Sequence, residues 1–561
     1  MGKIYHGVLI GYSDLFGPSD KTVEEIMSGI NREMALRAIC HLLGPFLSNN
    51  AVLERDLITS FFNSKNKKYR DELLFKISRI QSQSKNVKII NVKALLFLFE
   101  VVFNLNSDVE NEFSVQSEVS FFNAILIVND KINLNPPKST NLINEGKFAE
   151  AVFSTSFSNY DFNNTDVQKI FITQVFKMNL LFEYLKKSEC GNILLSKYIN
   201  RFGITKLSDF VKALLSFLGH IIDNRFTNKS IEFIITDNLE YNHLFLDELI
   251  MNNEEGRFEE DFKTIRSNPI VKLKNGNYLI VYLPFVFECI FKGMYFKLND
   301  INNTLKTNGE VPFYKDFRPI YCDEFSEKTL MQSVLLSVFK NKYLSFSGDE
   351  IKKCIKVKEP DFYIRNGKSV FLFESKDVLI KKEVLVSYDY HKYEKLLREK
   401  FMNSNENNKG IIQLINCVKD LFDDKYKFDS EMNPERIEIY PILVLHDKVF
   451  DVPGLNFILN TWFKIEVEKL KNLGYNTSRV KDLVVIDIDT LIYYSAELYE
   501  SSLNFKVLLE KYIYSMSRHR KHQNKLNSFT SFSNFIASHF NDRSKYFNKA
   551  NLLNKIKTYL E

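Results

Sequence analysis

The chain has 561 residues, is 45% hydrophobic and 26% charged, and carries a formal net charge of +5. That length exceeds what one hydrophobic core usually serves, and that balance leaves little room for long disordered tracts, so several compact domains are expected. The most apolar stretches, 94–103 and 278–291, are short and broken by Glu100, Pro284 and Glu288, and the first residues lack the features of a signal peptide, so the expectation is a cytoplasmic protein with no membrane partner.

In chain order, Thr22 followed by Glu25 has the form of a capping box, and apolar residues at helical spacing continue through Leu43. The same periodicity recurs at 166–187 and at 208–223, the second opening on Ser208 and Asp209 as cap candidates. Pro136 and Pro137 disfavour helix before them and mark a linker, which divides a helical domain at 1–135 from a second one at 136–310. Within the latter, 269–283 changes to two β-rich runs around Asn275-Gly276, a strong hairpin signal. A polar passage at 308–324 opens a third unit, 311–500. It reads as helix (326–340), hairpin (359–376), helix (388–401), helix (410–422), strand (437–445), helix (456–471) and strand (483–488). Strands and helices in this order predict an α/β sandwich around one sheet. The fold class is thus multidomain α/β: a mainly helical N-terminal half, the α/β unit, and a helical basic tail at 501–561. That tail holds eleven Lys or Arg against three Asp or Glu, a net of +8 on a chain whose first 500 residues sum to −3. A polyanion contact and a solvated helical face explain it equally well.

The six cysteines, Cys40, Cys190, Cys289, Cys322, Cys354 and Cys417, stand singly with no zinc-ligand spacing, and read as reduced, mostly buried thiols.

The chemistry concentrates at 359–377. A two-residue turn over Asn366-Gly367 would pair Arg365 with Lys368 and set Asp361 opposite Leu372. Because side chains alternate, Asp361, Glu374 and Lys376 would then project from one face, with the two carboxylates as diagonal neighbours able to converge on one divalent ion. The rest of the hairpin is apolar on both sides, Phe362, Ile364, Phe371 and Phe373 on one face and Tyr363, Val370 and Leu372 on the other. Charges at the end of such strands are costly unless paired or bound to metal. Two carboxylates supply hard oxygen ligands for Mg²⁺, and a lysine ammonium can orient water or stabilise charge developing on a phosphate.

Pro360-Asp361, a spacer, and then Glu374-Ser375-Lys376 resembles the PD-(D/E)XK nuclease superfamily, which includes many restriction endonucleases. The resemblance covers roughly 320–490. It implies a restriction-endonuclease-like core of a helix, a β-meander, a helix and a further strand, and Mg²⁺-dependent phosphodiester hydrolysis in which Mn²⁺ can substitute. It also implies a carboxylate from the helix before the first strand. Glu327 is the best match because it shares a helical stripe with Leu330, Met331, Val334 and Val338, and Glu324 is the alternative. Exonuclease members show Gln-x-x-x-Tyr on a later helix; here Gln413 is followed by Cys417. The expected catalytic residues are therefore Glu327, Asp361, Glu374 and Lys376, with Asp361, Glu374 and Glu327 on the metal.

Other signals are weaker. Glu145-Gly146-Lys147 and Glu350-Ile351-Lys352 sit in polar surroundings, and Asp487-x-Asp489 reads as an ordinary strand end. Lys392, Lys395 and Arg398 on the helix after the hairpin, and Arg518, Arg520 and Lys521 in the tail, are candidate nucleic-acid contacts, with intrahelical ion pairs such as Glu394 with Arg398 as the competing role. The expectation is a metal-dependent nuclease acting on nucleic acid, DNA foremost, of the type that serves antiviral defence, either as homo-oligomer or with a partner protein. The competing expectation is a catalytically silent nuclease fold that only binds nucleic acid or protein.

Overall fold

The structure is a computed structural model, and it describes residues 8–44, 54–83, 87–105, 114–134, 139–163, 166–222, 232–233, 242–252, 261–339, 342–355, 358–404, 407–500, 504–518 and 529–540. The prolines read as a linker, Pro136 and Pro137, lie outside these residues.

The first half is helical. Thr22 and Glu25 form the expected reciprocal cap, the Thr22 side chain accepting from the Glu25 N–H while Glu25 accepts from the Thr22 N–H. The helix ends at Met27 and restarts as Arg32–Leu43, with Asn31 as its N-cap. The apolar stretch at 94–103 belongs to Val92–Asn104, a helix buried almost all round between its neighbours. The helix predicted at 208–223 starts at Leu207, so Ser208 and Asp209 lie in its first turn instead of capping it. The hairpin around Asn275-Gly276 forms between Ile270–Lys272 and Tyr278–Ile280, and Glu232–Phe233 adds a third short strand.

The second half is built on one five-stranded sheet whose spatial order follows the sequence: β1 (Leu344–Ser347), β2 (Phe362–Asn366), β3 (Ser369–Lys376), β4 (Glu438–Leu445) and β5 (Val484–Asp487). The first three are antiparallel neighbours; β4 runs parallel to β3, and β5 parallel to β4. Parallel neighbours need long crossovers, and helices Tyr390–Phe401, Gly410–Phe422 and Leu455–Asn472 supply them. The helix expected at 326–340 is wound in two forms, a π-helix over Tyr321–Met331 and an α-helix over Gln332–Phe339.

Both faces of the sheet are covered, which is why its strands read as nearly continuous apolar runs. Phe362, Ile364, Phe371, Phe373, Tyr440, Ile442 and Val444 face a core shared with the first half, including helix Val167–Leu185. Tyr363, Val370, Leu372, Ile439, Leu443 and Leu445 face a second core with the crossover helices and with Phe148–Ser158. At Gly454 (φ +90°) the approach to that last helix is so close that a Cβ would lie 2.5 Å from the Ala149 carbonyl oxygen. The described parts of the tail also belong to the core: Phe505, on helix Phe505–Arg518, packs against Phe371 at a ring separation of 5.5 Å.

No helix among the described residues is long and apolar enough to cross a membrane. All six cysteines are free; Cys40 and Cys417 are buried, and Cys354 is exposed.

Candidate active site

The site grows out of the β2–β3 hairpin, and its register differs from the expected one. Phe362 pairs with Phe373 and Asn366 with Ser369, so the turn is Gly367-Lys368 and not Asn366-Gly367. Centring the turn on Asn366-Gly367 would require positive φ at Asn366 as well as at Gly367, whereas the observed turn needs it only at Gly367, whose φ is +59°. A two-residue shift returns every side chain to its own face, so the predicted apolar faces survive it. Its consequence is local: continuing the ladder by one pair sets Asp361 directly opposite Glu374 instead of diagonal to it.

Asp361, Glu374 and Lys376 are each held by an identifiable contact. Asp361 immediately precedes β2; its carbonyl accepts from the Gly348 N–H at 3.0 Å, and its Oδ2 accepts from the Ser375 N–H at 2.7 Å. Glu374 is fully buried. Its Oε1 accepts from Lys376 Nζ at 2.6 Å, while its Oε2 is buried with no hydrogen-bond partner. Lys376 Nζ also donates to the Ser375 carbonyl at 2.9 Å. Glu327 is half-buried on the π-helix, beside the buried Leu330 and Met331 of its predicted stripe, and close enough to Asp361 and Lys376 to feel both charges. Glu324, the alternative, is exposed and paired with Lys328. Helical turns with this wider winding are rare and are frequently found at functional sites.

The electrostatics follow from three carboxylates gathered around Lys376, with Lys352 also acting on Asp361 and Glu327. Burial pushes Glu374 up to about 8, the charge of Asp361 adding to the rise and Lys376 opposing it. Glu327 is raised to about 8 as well, by burial first and then by Asp361. Asp361 is raised by burial, against the pull of Lys376 and of the Ser375 N–H. Burial would lower Lys376, but Glu374 and Asp361 outweigh it and hold the ammonium above its ordinary value.

As the side chains lie, no three His, Cys, Asp or Glu among the described residues are gathered into a closed ligand set. The residues nevertheless fit a hard divalent cation. Glu374 Oε2 is a buried acceptor without a donor, and carboxylates driven toward protonation by burial and mutual repulsion are relieved by a cation as they are by protons. Helix Gly410–Phe422 closes the far side. It carries the buried thiol of Cys417, raised by burial and then by the charges of Glu374 and Asp361 among others, and it carries Gln413, whose Oε1 is buried without a hydrogen-bond partner.

The other sequence candidates are placed less centrally. Arg398 forms the intrahelical pair, bonding Glu394 at 2.8 Å, and lies 4.2 Å over the Trp462 ring, with its side chain half-exposed. Lys392 and Lys395 on the same helix are exposed. Arg518 ends its helix, but its side chain, together with Arg520 and Lys521, lies outside the described residues. Glu145 and Lys147 form an exposed pair, and Glu350 serves in the cap that starts Gly348–Cys354. Asp487 and Asp489 end β5 against lysines of the first half: Lys169 Nζ stands 3.2 Å from Asp487, and Lys177 Nζ 2.7 Å from Asp489.

Sequence reading missed the polar residues behind β3. Ser375 Oγ is 2.8 Å from His446 Nε2, and Asp377, directly after Lys376, bonds Arg318 and Ser326. Adjacency to Lys376 was the only available signal for Asp377. Comparison with known protein families, with characterised proteins and with solved structures finds no match.

Proposed function

We propose that the chain is a metal-dependent nuclease of the PD-(D/E)XK type that hydrolyses phosphodiester bonds, most readily in DNA, with Glu327, Asp361, Glu374 and Lys376 as its active site. The observation that carries this reading is the buried, acceptor-rich end of β3, where Glu374 Oε2 lacks a donor and three carboxylates gather around the Lys376 ammonium. The element order supports it: a helix, three antiparallel strands with Asp361 entering the second and Glu374-x-Lys376 ending the third, helical crossovers, and a parallel strand.

Asp361, Glu374 and Glu327 would hold Mg²⁺ or Mn²⁺. When bound, the cation lowers the pKa of a water and polarises a phosphoryl oxygen. Everything else falls to the chain. The Ser375 N–H fixes the Asp361 carboxylate, so one ligand oxygen is oriented in advance. Lys376 keeps its proton at neutral pH because two carboxylates face it, so its Nζ can donate to an attacking water or to the charge that develops on phosphate. The exposed Lys392 and Lys395 would give sequence-independent backbone contacts.

The test is incubation of the purified protein with plasmid, linear duplex, single-stranded DNA and RNA, each with Mg²⁺, Mn²⁺ or EDTA, beside Asp361→Ala. Cleavage that requires metal and disappears in the variant is the expected result. Equal cleavage by the variant refutes the site, and binding without cleavage under every metal condition selects the silent-fold alternative.

A further inference from the structure

We propose that Asp377 is a positioning residue for Glu327, working through Arg318 and Ser326 to fix the π-helix on the end of β3; this rests on the nuclease reading of the site. Asp377 follows Lys376 in the chain. Its Oδ1 accepts from Arg318 Nη2 at 2.6 Å, its own carbonyl accepts from the same Nη2 at 2.9 Å, and its Oδ2 accepts from Ser326 Oγ at 2.6 Å. Arg318 stands just before the π-helix and Ser326 within it, so one carboxylate grips the helical segment at two points eight residues apart. Ser326 is the immediate neighbour of Glu327, as Asp377 is of Lys376. The two hydrogen-bonding partners thus stand back to back with the two candidate site residues, and movement of one pair moves the other.

Packing alone does not account for this arrangement. Phe325, Leu330, Met331 and Val334 already bury the apolar side of the segment, and apolar contact is non-directional, so it holds a helix against a sheet without fixing how far it slides or turns. A largely buried ion pair contributes little net stability relative to apolar replacements, and its directional geometry is what can set the registry of the helix on the strand. The Arg318 guanidinium is itself held over the Tyr295 and Tyr321 rings, 5.4 and 5.6 Å from their centroids. The grip is therefore anchored on the helical side as well, and Glu327 is delivered to the metal site at a set depth, as the partners behind metal ligands do elsewhere.

The test is Mn²⁺ titration of the full chain by calorimetry, on wild type, Glu327→Gln, Ser326→Ala, Ser326→Thr and Asp377→Ala. Ser326→Ala should weaken Mn²⁺ binding about tenfold. Ser326→Thr, which keeps the hydroxyl, should restore it, and Asp377→Ala should lose more than Ser326→Ala. A purely structural contact would lower the melting temperature while leaving Mn²⁺ affinity unchanged, and that result in folded Ser326→Ala overturns the proposal alone, even where Asp377→Ala fails to fold. Equal binding by wild type and Glu327→Gln removes Glu327 from the metal set, and absence of binding in wild type refutes the metal-site reading; either takes this proposal with it.

Discussion

Two groups of buried carboxylates stand at the same end of the same sheet, and they differ in what faces them. At β5, Asp487 and Asp489 are joined by Asp451, and two lysines answer them: Lys169 lies within 3.5 Å of Asp487 and Asp451, Lys177 lies 2.7 Å from Asp489, and the Thr490 and Ser533 hydroxyls complete the network. At β3, Lys376 pairs with Glu374, Lys352 acts on Asp361 and Glu327 by charge alone, and Glu374 keeps a buried oxygen without a donor. The residue types and topological positions are alike. Both groups keep a buried carboxylate oxygen without a hydrogen-bond donor, Asp487 Oδ1 as well as Glu374 Oε2, and what separates them is the close cations: two lysines within ion-pair distance at β5 and one at β3. Burial pushes Asp487 up too, to about 7, so a raised carboxylate alone does not mark a site.

The sharpest way to break this comparison is to remove one carboxylate from each group. Asp361→Ala or Glu374→Gln should reduce cleavage by about 10³-fold or more, through loss of a metal ligand. Asp487→Asn should lower thermal stability and leave the cleavage rate per folded molecule within about twofold, being a change remote from the chemistry. If Asp487→Asn abolishes cleavage in a folded protein while Glu374→Gln does not, the roles of the two groups are reversed.

The lysines should separate in the same way. Lys376→Ala should slow single-turnover cleavage by about 10²–10³-fold while substrate affinity at saturating metal holds, since its ammonium acts on charge that appears in the transition state. Lys376→Arg should not rescue, because a planar guanidinium does not replace a compact ammonium. Lys169→Met should cost about 3–5 kcal/mol in unfolding free energy, because it strands buried carboxylates without a partner. Denaturant titration and single-turnover kinetics on both variants decide it; parallel loss of binding and cleavage in Lys376→Ala would make that lysine a phosphate contact only.

A smaller effect concerns pH. Glu374 and Glu327 rise from an ordinary 4.5 to about 8 on folding, so the folded state holds more protons than the unfolded state between those values. Their contribution is fully present below about pH 4.5 and is lost as pH rises through about 8, and metal-free protein should lose stability across that window. Glu374→Gln should flatten the fall and raise the melting temperature at pH 8 in EDTA by about 1–2 °C. A wild-type profile that rises with pH over this range, or an unchanged slope in the variant, would contradict the assignment. The smallest effect belongs to residues 541–561, which carry five Lys or Arg against two Asp or Glu. Removing them should reduce the salt slope of DNA binding by no more than about 3, and an unchanged slope would assign their charge to another role.

Much of this was legible in the sequence, for reasons that can be stated residue by residue. β3 announces itself because an apolar run ends abruptly in Glu374 and Lys376, and period-two alternation survives an error of two in register, so the shared face of Asp361, Glu374 and Lys376 was recoverable although the turn was misplaced. β1 was not visible: Leu344–Ser347 is a four-residue edge strand, mostly half-exposed or exposed, with little alternation to detect. Nor was the π-helix, because nothing in an apolar stripe distinguishes its winding from α. The neutralisation that separates the two acidic groups is the least legible feature, since Lys169 stands 318 residues before Asp487. Only the folded chain brings such partners together.

The close approach at Gly454 and the lysines of the first half that pair with the acids at β5 tie the two halves to each other. Separating the halves would strip one face of the sheet, take Phe148–Ser158 from the crossover helices on the other, and leave Asp487 and Asp489 without Lys169 and Lys177. A fragment so exposed would collapse or aggregate. Whatever disturbs the helical half therefore disturbs the sheet as well.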